Sequence, residues 1–475
     1  MITPKKKQTE DSEKREKMKN DKEFSANKVR IMTLDFLLRV SGLVPPNNAT
    51  PFLRFLNKVF LTVVFTLFIL ALLGQMMAVY VNWGNIPVIS TDMSYMSGLL
   101  LTVSSCVYFL HNKYKFMRLI DLLRNEFVEN MNSKYIKFIH IAERQIQLSV
   151  TLTAPVAVSL GTISIVVPFL NDSKISNFNN NTVNSNGNNL DRLMFVMWFP
   201  FSIEGSPQFE IILVLQMAVI FFSILMLAAV DVIFLSLMSH AAAQFKVLCA
   251  MLNDMHENVS EAELNRTKHT SQLQDIADFN LMKALVTSAD DITCHESGRG
   301  NCGSPSFETR PEDRHVNRNA FRLYLVKCVK YHQAVIEFVN SLNEIVSLIT
   351  SVKIVNFPPI LCMTGFEMTQ SFDNYEQFLQ FATLFAISLL LIAAYCWFGQ
   401  QVIDESEKVQ LAFYSTDWYN QTPEYRSLLP LAIMRASRPL KVKAGVFFDM
   451  SFLTLASLVN VSYRYFTMLI QLHDS

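Results

Sequence analysis

Long apolar runs alternate with polar stretches along this chain. A membrane helix needs about twenty mainly apolar residues, and runs of that kind lie at 58–82, 93–111, 147–169, 211–236, 343–366, 378–400 and 446–471. The fifth is interrupted by Lys353 and the Pro358-Pro359 pair. Its alternative is a buried amphipathic helix, which would leave six spans. The pattern predicts an all-α membrane protein with seven transmembrane helices. Composition points the same way: 51% of the 475 residues are hydrophobic and only 17% charged, whereas a soluble domain carries about a quarter charged residues.

Net charge is zero, so the placement of the charges matters more than their sum. Residues 1–58 hold 13 Lys and Arg, the segment after the second run 7, after the fourth 11, and after the sixth 6. The segments after the first and fifth runs and beyond 471 hold none, and the one after the third holds 2. Basic residues stay on the cytoplasmic side. The expected orientation is therefore a cytoplasmic N-terminal region at 1–57 and an extracellular C-terminus. The polar opening of the chain does not read as a cleavable signal peptide. The seven Cys are scattered and none falls in a segment expected outside, so they do not read as a disulfide framework.

Residues 58–236 then carry the first four spans, with an extracellular loop at 170–210 in which nine of residues 171–190 are Asn. Asn171 and Asn180 are each followed two residues on by Ser or Thr, and make the expected glycosylation sites. Other matches to that motif, such as Asn258 and Asn420, fall on the expected cytoplasmic side. The region 237–342 is expected to be a cytoplasmic helical extension with a disordered insert at 285–318, rich in Gly, Pro, Ser and charge around 294–318. Beyond it, Phe321, Leu325, Cys328, His332, Val335, Val339, Leu342 and Val346 recur at gaps of four and three. That repeat predicts a helix packed along a seam and running unbroken into the fifth span. Residues 238–255 similarly extend the fourth. Helices projecting beyond the bilayer need company, which predicts a packed cytoplasmic helical anchor bundle. Spans five and six occupy 343–400, an anchor helix 401–445, and the last helix 446–475.

No catalytic motif is visible, and the chain does not read as an enzyme. Cys294, His295, Cys302 and His315 have donor chemistry for zinc, but their spacing fits no compact module and no metal is expected. His332 on the seam is expected as a packed core residue. Asp231, near the inner end of the fourth span, is costly against lipid and is expected to face protein or a wet cavity.

In the last span Ser457, Asn460, Arg464, Thr467 and Gln471 fall at gaps of three, four, three and four. These spacings place five polar side chains on one stripe of an apolar helix. Such groups face a partner helix or water, so the stripe is either a hydrogen-bonded helix interface or a pore wall. Val461 and Met468 lie beside it, where apolar residues can close a pore by dewetting. At about 1.5 Å of rise per residue, Met468 sits roughly 7–8 Å below His473, in the outer half of the membrane.

The C-terminal third resembles the insect odorant receptor family. The resemblance rests on YCWFGQQVIDESEKVQLAFYSTDWY (395–419), MRASRPLKVKAG (434–445) and SYRYFTML (462–469). SGLVPP (41–46), WFPFSIEGSP (198–207) and CVKYHQAVIEFVNSLNEI (328–345) add to it. The resemblance implies an odorant-gated, non-selective cation channel subunit in the plasma membrane of olfactory sensory neurons. It implies a tetramer, either a homotetramer or a heterotetramer with the family's co-receptor, whose last helices line one central pore. Its partners would be a small volatile hydrophobic ligand and the lipid bilayer, with no cofactor, nucleotide, nucleic acid or G protein. The pore-lining and gate set would be Ser457, Asn460, Val461, Arg464, Thr467, Met468 and Gln471.

The family's pocket lies in the outer half of spans two, three, four and six. On this chain that points to Tyr95 and Leu99, Val158 and Thr162, Phe209 and Leu213, and Leu379 with Thr383 as ligand-binding residues. Arg464 departs from the family pattern, which has a small residue there. Four arginines around a narrow cation pore would repel permeant ions. The related gustatory receptors are a second reading. A G-protein-coupled receptor is a third, disfavoured because it requires the opposite orientation.

Overall fold

The structure is a computed structural model. It describes residues 41–44, 50–84, 86–128, 131–179, 195, 197–198, 208–262, 311–372 and 374–474, with the backbone alone at 86–88, 125–126, 128, 156–157, 160–179, 311–318 and 472–474. The described residues are almost all helical. In chain order come α1 (Pro51–Val81), α2 (Ile86–Leu122), α3 (Ile136–Asn179), α4 (Gln208–Asn253), α5 (Pro311–Gln370), α6 (Tyr375–Tyr414) and α7 (Pro423–Ala436). A two-residue hairpin, β1 (Lys443–Ala444) with β2 (Phe448–Asp449), leads into α8 (Phe452–Asp474).

The helix starts follow local chemistry. Thr50 accepts a hydrogen bond from the amide of Leu53, with Pro51 in the first turn, and Thr422 does the same for Tyr425 ahead of Pro423. Hydroxyl caps satisfy orphan amides there, and proline loses nothing at the first helical position. Among the described residues, α1, α2, α4, α5 and α6 are long and apolar enough to cross a membrane. The third and seventh expected spans fall on α3 and α8, which are helical but outside that set.

The chain divides into two compact units. One comprises residues 1–244, 337–404 and 440–475, the other 245–336 and 405–439. α5 carries the expected seam, and all eight of its positions are buried, from Phe321 through His332 to Val346. At 60 residues, α5 is unbroken even through Pro358 and Pro359, although each proline removes one helical donor.

The expected anchor helix at 401–445 is split between the end of α6 and α7, and three further boundaries differ from the sequence expectation. α3 continues to Asn179, so the first ten residues of the expected loop at 170–210 are helical, Asn171 among them. α5 begins at Pro311, inside the expected insert at 285–318, because proline is well placed to open a helix. The last helix begins at Phe452, not 446. Residues 446–451 instead complete the hairpin, whose turn includes Gly445 at φ 66°, a conformation glycine adopts without strain.

That hairpin is stapled to α5. The Gly445 amide donates to the Ser347 carbonyl at 2.9 Å, the Lys443 amide to Asn343 Oδ1 at 2.9 Å, and Asn343 Nδ2 to the Lys441 carbonyl at 2.8 Å. On its other side, a Cβ at Gly399 of α6 would lie 2.3 Å from the Met450 carbonyl oxygen. The start of α8 is thus fixed by backbone contacts on two neighbouring helices.

Candidate ligand site and polar stripe

Two helices set up the outer cluster. α2 and α4 are joined where Thr102 and Ser223 share a hydrogen bond of 2.8 Å. Towards the α2 N-terminus, Tyr95 packs its ring 5.6 Å from that of Phe195, in a cluster with Leu213, Met197, Phe209, Met217 and Ile220. Gln216, almost fully buried, donates to the Phe195 carbonyl at 3.0 Å and so orients that segment. From α6, the Gln380 side chain donates to the Tyr95 hydroxyl. The result is an aromatic and aliphatic nest with two side-chain amides at its edge, a chemistry suited to small apolar ligands with one polar group.

Of the residues singled out in the sequence, Tyr95, Phe209 and Leu213 come together in this cluster. Leu99, one turn on from Tyr95, is buried, and Leu379 is half-buried beside Gln380. Thr383 donates its hydroxyl back to the Gln380 carbonyl at 2.8 Å. Val158 is exposed, on a face of α3 turned away from the described core. The side chain of Thr162 lies outside the described residues, as do Asn180 and the side chain of Asn171. Cys294, His295, Cys302 and the side chain of His315 also lie outside them.

Sequence reasoning missed Phe195, Met197, Gln216 and Gln380. Glutamines within apolar runs were the available signal for the last two. It also placed Asp92 just outside the second run. In the structure α2 begins six residues before it, so Asp92 sits inside the helix and is 1% exposed. Nearby, Ser90 donates to Glu367 at the end of α5.

A second buried cluster joins α4, α5 and α6. Lys353 of α5 is paired with Asp231 of α4, and the Tyr395 hydroxyl of α6 donates to the same carboxylate oxygen at 2.8 Å. The Lys353 ammonium also lies 4.9 Å from the Tyr395 ring centroid and 5.7 Å from that of Phe234, within cation–π range. The expected interruption of the fifth run and the costly acid of the fourth thus cancel one another. Opposite charges in two apolar helices were the signal for this pairing.

On α8 the stripe is turned outward. Ser457, Asn460, Arg464, Met468 and Gln471 are exposed, and Val461 and Thr467 half-buried. Leu458 and Ser462 are buried on the opposite side, and the Phe466 ring packs 3.5 Å from where a Cβ of Gly365 would stand.

In the other unit, His332 is buried beside the Phe413 ring, 5.9 Å between centroids. Burial, with Arg435 adding repulsion, pushes its pKa down to about 4, so the imidazole is neutral at physiological pH. A cavity of about 230 Å³ in this unit is lined by Met255, His256, Phe321, Asp417, Gln421 and Tyr425, among others. His256 bonds Asp417 at 2.7 Å there, and hydrogen bonds from Tyr419 and His256 hold that carboxyl below its usual range. Among the described residues, no group of three or more His, Cys, Asp and Glu is arranged to hold a metal ion.

Comparison with known proteins matches the family described as 7tm odorant receptor over residues 85–463. Putative odorant receptor 85d of Drosophila melanogaster is 32% identical over 148 residues, 31% of this chain and 35% of that protein. Odorant receptor 10 of Aedes albopictus is 31% identical over 160 residues, 34% and 42% respectively. The chain thus spans about two-fifths of the length of the curated relatives it matches. In fold it is similar to the insect olfactory receptor OR5 from Machilis hrabei in complex with eugenol. The TM-score is 0.69 at 15% identity, covering 93% of this chain and 97% of that one.

Proposed function

Because the chain belongs to the 7tm odorant receptor family, we propose that it is an odorant receptor acting as one subunit of an odorant-gated, non-selective cation channel. It crosses the plasma membrane of olfactory sensory neurons seven times, with its N-terminus in the cytoplasm and glycans on Asn171 and Asn180. Four subunits, of this chain alone or of this chain with a co-receptor, surround one pore. The cytoplasmic helical unit anchors them.

The observation that carries the channel reading is the outward stripe on α8. Leu458, Ser462 and Phe466 pack on the subunit's own core, while Ser457, Asn460, Arg464 and Gln471 are left exposed together with Leu453, Val459, Tyr463 and Tyr465. Polar groups in a membrane helix need water or a partner, and a ring of such stripes supplies a wet path. Met468 and Val461 are the gate residues of this reading. A heteromer places fewer than four Arg464 side chains around the axis, which lessens repulsion of cations. The outer cluster around Tyr95, Leu99, Phe209, Leu213, Leu379 and Thr383 receives a small volatile hydrophobic ligand. The complex of the Machilis hrabei receptor with eugenol supports a ligand of that size.

Single cysteines at Ser457, Asn460, Thr467 and Gln471 test the pore. With current activated by odorant, hydrophilic thiol reagents are expected to modify all four and block conduction. Unreactive cysteines in an open channel would refute the pore assignment.

A further inference from the structure

One turn before Tyr95 on α2 stands a group that the apolar chemistry of the cluster does not explain. Asp92 is 1% exposed, and neither carboxylate oxygen has a hydrogen-bond partner among the described residues. Desolvating a carboxylate is costly unless a donor or a proton compensates it. The other buried acids of this unit that lie on α4 and α5 are compensated: Asp231 by Lys353 and Tyr395, and Glu367 by Ser90.

Position gives Asp92 its direction. Asp92, Tyr95 and Leu99 are spaced three and four residues apart on α2, which puts them on one face of the helix. Tyr95 packs from that face into the Phe195 and Leu213 cluster, and its hydroxyl is engaged by Gln380. The acid therefore stands one turn from the aromatic nest, on the same side. Of the two basic residues within the expected spans, Lys353 is committed to Asp231 and Arg464 lies on α8.

We propose that Asp92 is the ionic anchor of the ligand site, selecting small amines whose ammonium it holds while their apolar bodies lie against Tyr95, Phe195 and Leu213. This rests on the outer cluster being the odorant site. An ammonium donates hydrogen bonds to a carboxylate, and a charge-assisted bond in a dry site discriminates far more than an added methylene does. A neutral alcohol of the same shape gains the nest but only a weaker bond at the acid.

The test uses 2-phenylethylamine and 2-phenylethanol, two molecules of nearly one shape. Ligand-induced thermal stabilisation of the purified full chain reads binding, and odorant-evoked current in cells with a co-receptor reads gating. Wild type is expected to bind the amine at least tenfold more tightly than the alcohol. Asp92→Asn is expected to lose about tenfold for the amine and change less than twofold for the alcohol, and Asp92→Glu to keep the amine preference. Equal loss for both ligands, or none for either, would overturn the assignment and mark Asp92 as structural or idle. Stabilisation by the amine without current would leave the anchor standing and count against the channel reading. Stabilisation and current with the alcohol alone would overturn the anchor and leave the channel reading standing.

Discussion

Asp231 and Asp92, two of the acids buried in the helices of this chain, are held in opposite ways. Asp231 meets an ammonium and a phenol from two other helices, so its site is closed and every strong partner is internal. Asp92 has the same chemistry and comparable burial, yet no described side chain or amide answers it. A closed ionic site ties helices together and resists change. An open one stores unmet hydrogen-bonding capacity next to a cluster that can take a ligand. The contrast separates scaffold from recognition within one unit of the fold.

The comparison breaks most visibly at the closed site. Lys353→Met would strand Asp231 in the core, and loss of one partner of a buried pair costs about 3–5 kcal/mol. Surface labelling and thermal melting in detergent should show the single variant largely lost. Asp231→Asn combined with Lys353→Met should recover most of it, since removing both charges removes the penalty. A single variant as stable as wild type would put Asp231 and Asp92 in the same class.

A buried histidine sharpens the contrast, because it is compensated by neutrality. His332 has a folded pKa of about 4 against an ordinary value of 6.5. Between those values the unfolded chain binds more protons, so stability rises with pH across the window and is complete above it. Acidification from pH 6.5 towards 4 should cost no more than about 3 kcal/mol. His332→Gln should flatten this slope, measured by melting of the purified receptor across that range.

The smallest of these effects concerns the approach to α8. Gly399→Ala places a methyl against the Met450 carbonyl, an overpacking costing about 1–3 kcal/mol. Reduced odorant-evoked current with modest loss of surface protein is expected. An unchanged current would show that the hairpin tolerates displacement.

The seam from Phe321 to Val346 was legible in the sequence because a 3.5-residue repeat is a property of one helix, and every position in it is buried. The stripe on α8 was legible for the same reason. Of the outer cluster, Tyr95, Phe209 and Leu213 were singled out in the sequence, whereas Phe195, Met197, Gln216 and Gln380 were not. Phe195 and Gln380 come from other segments, about which periodicity along one helix carries no information, whereas Gln216 shares α4 and its face with Phe209 and Leu213 and was readable from spacing.

By itself the sequence determined the apolar runs, the alternation of basic segments, the unbroken fifth helix and the two faces of the last one, since each follows from spacing along the chain. Only the tertiary structure decided that Lys353 cancels Asp231, that Gln380 reaches Tyr95, and that Asp92 lies buried with no answering group among the described residues. Those outcomes depend on which helices stand side by side, and residues more than a hundred positions apart meet only through packing.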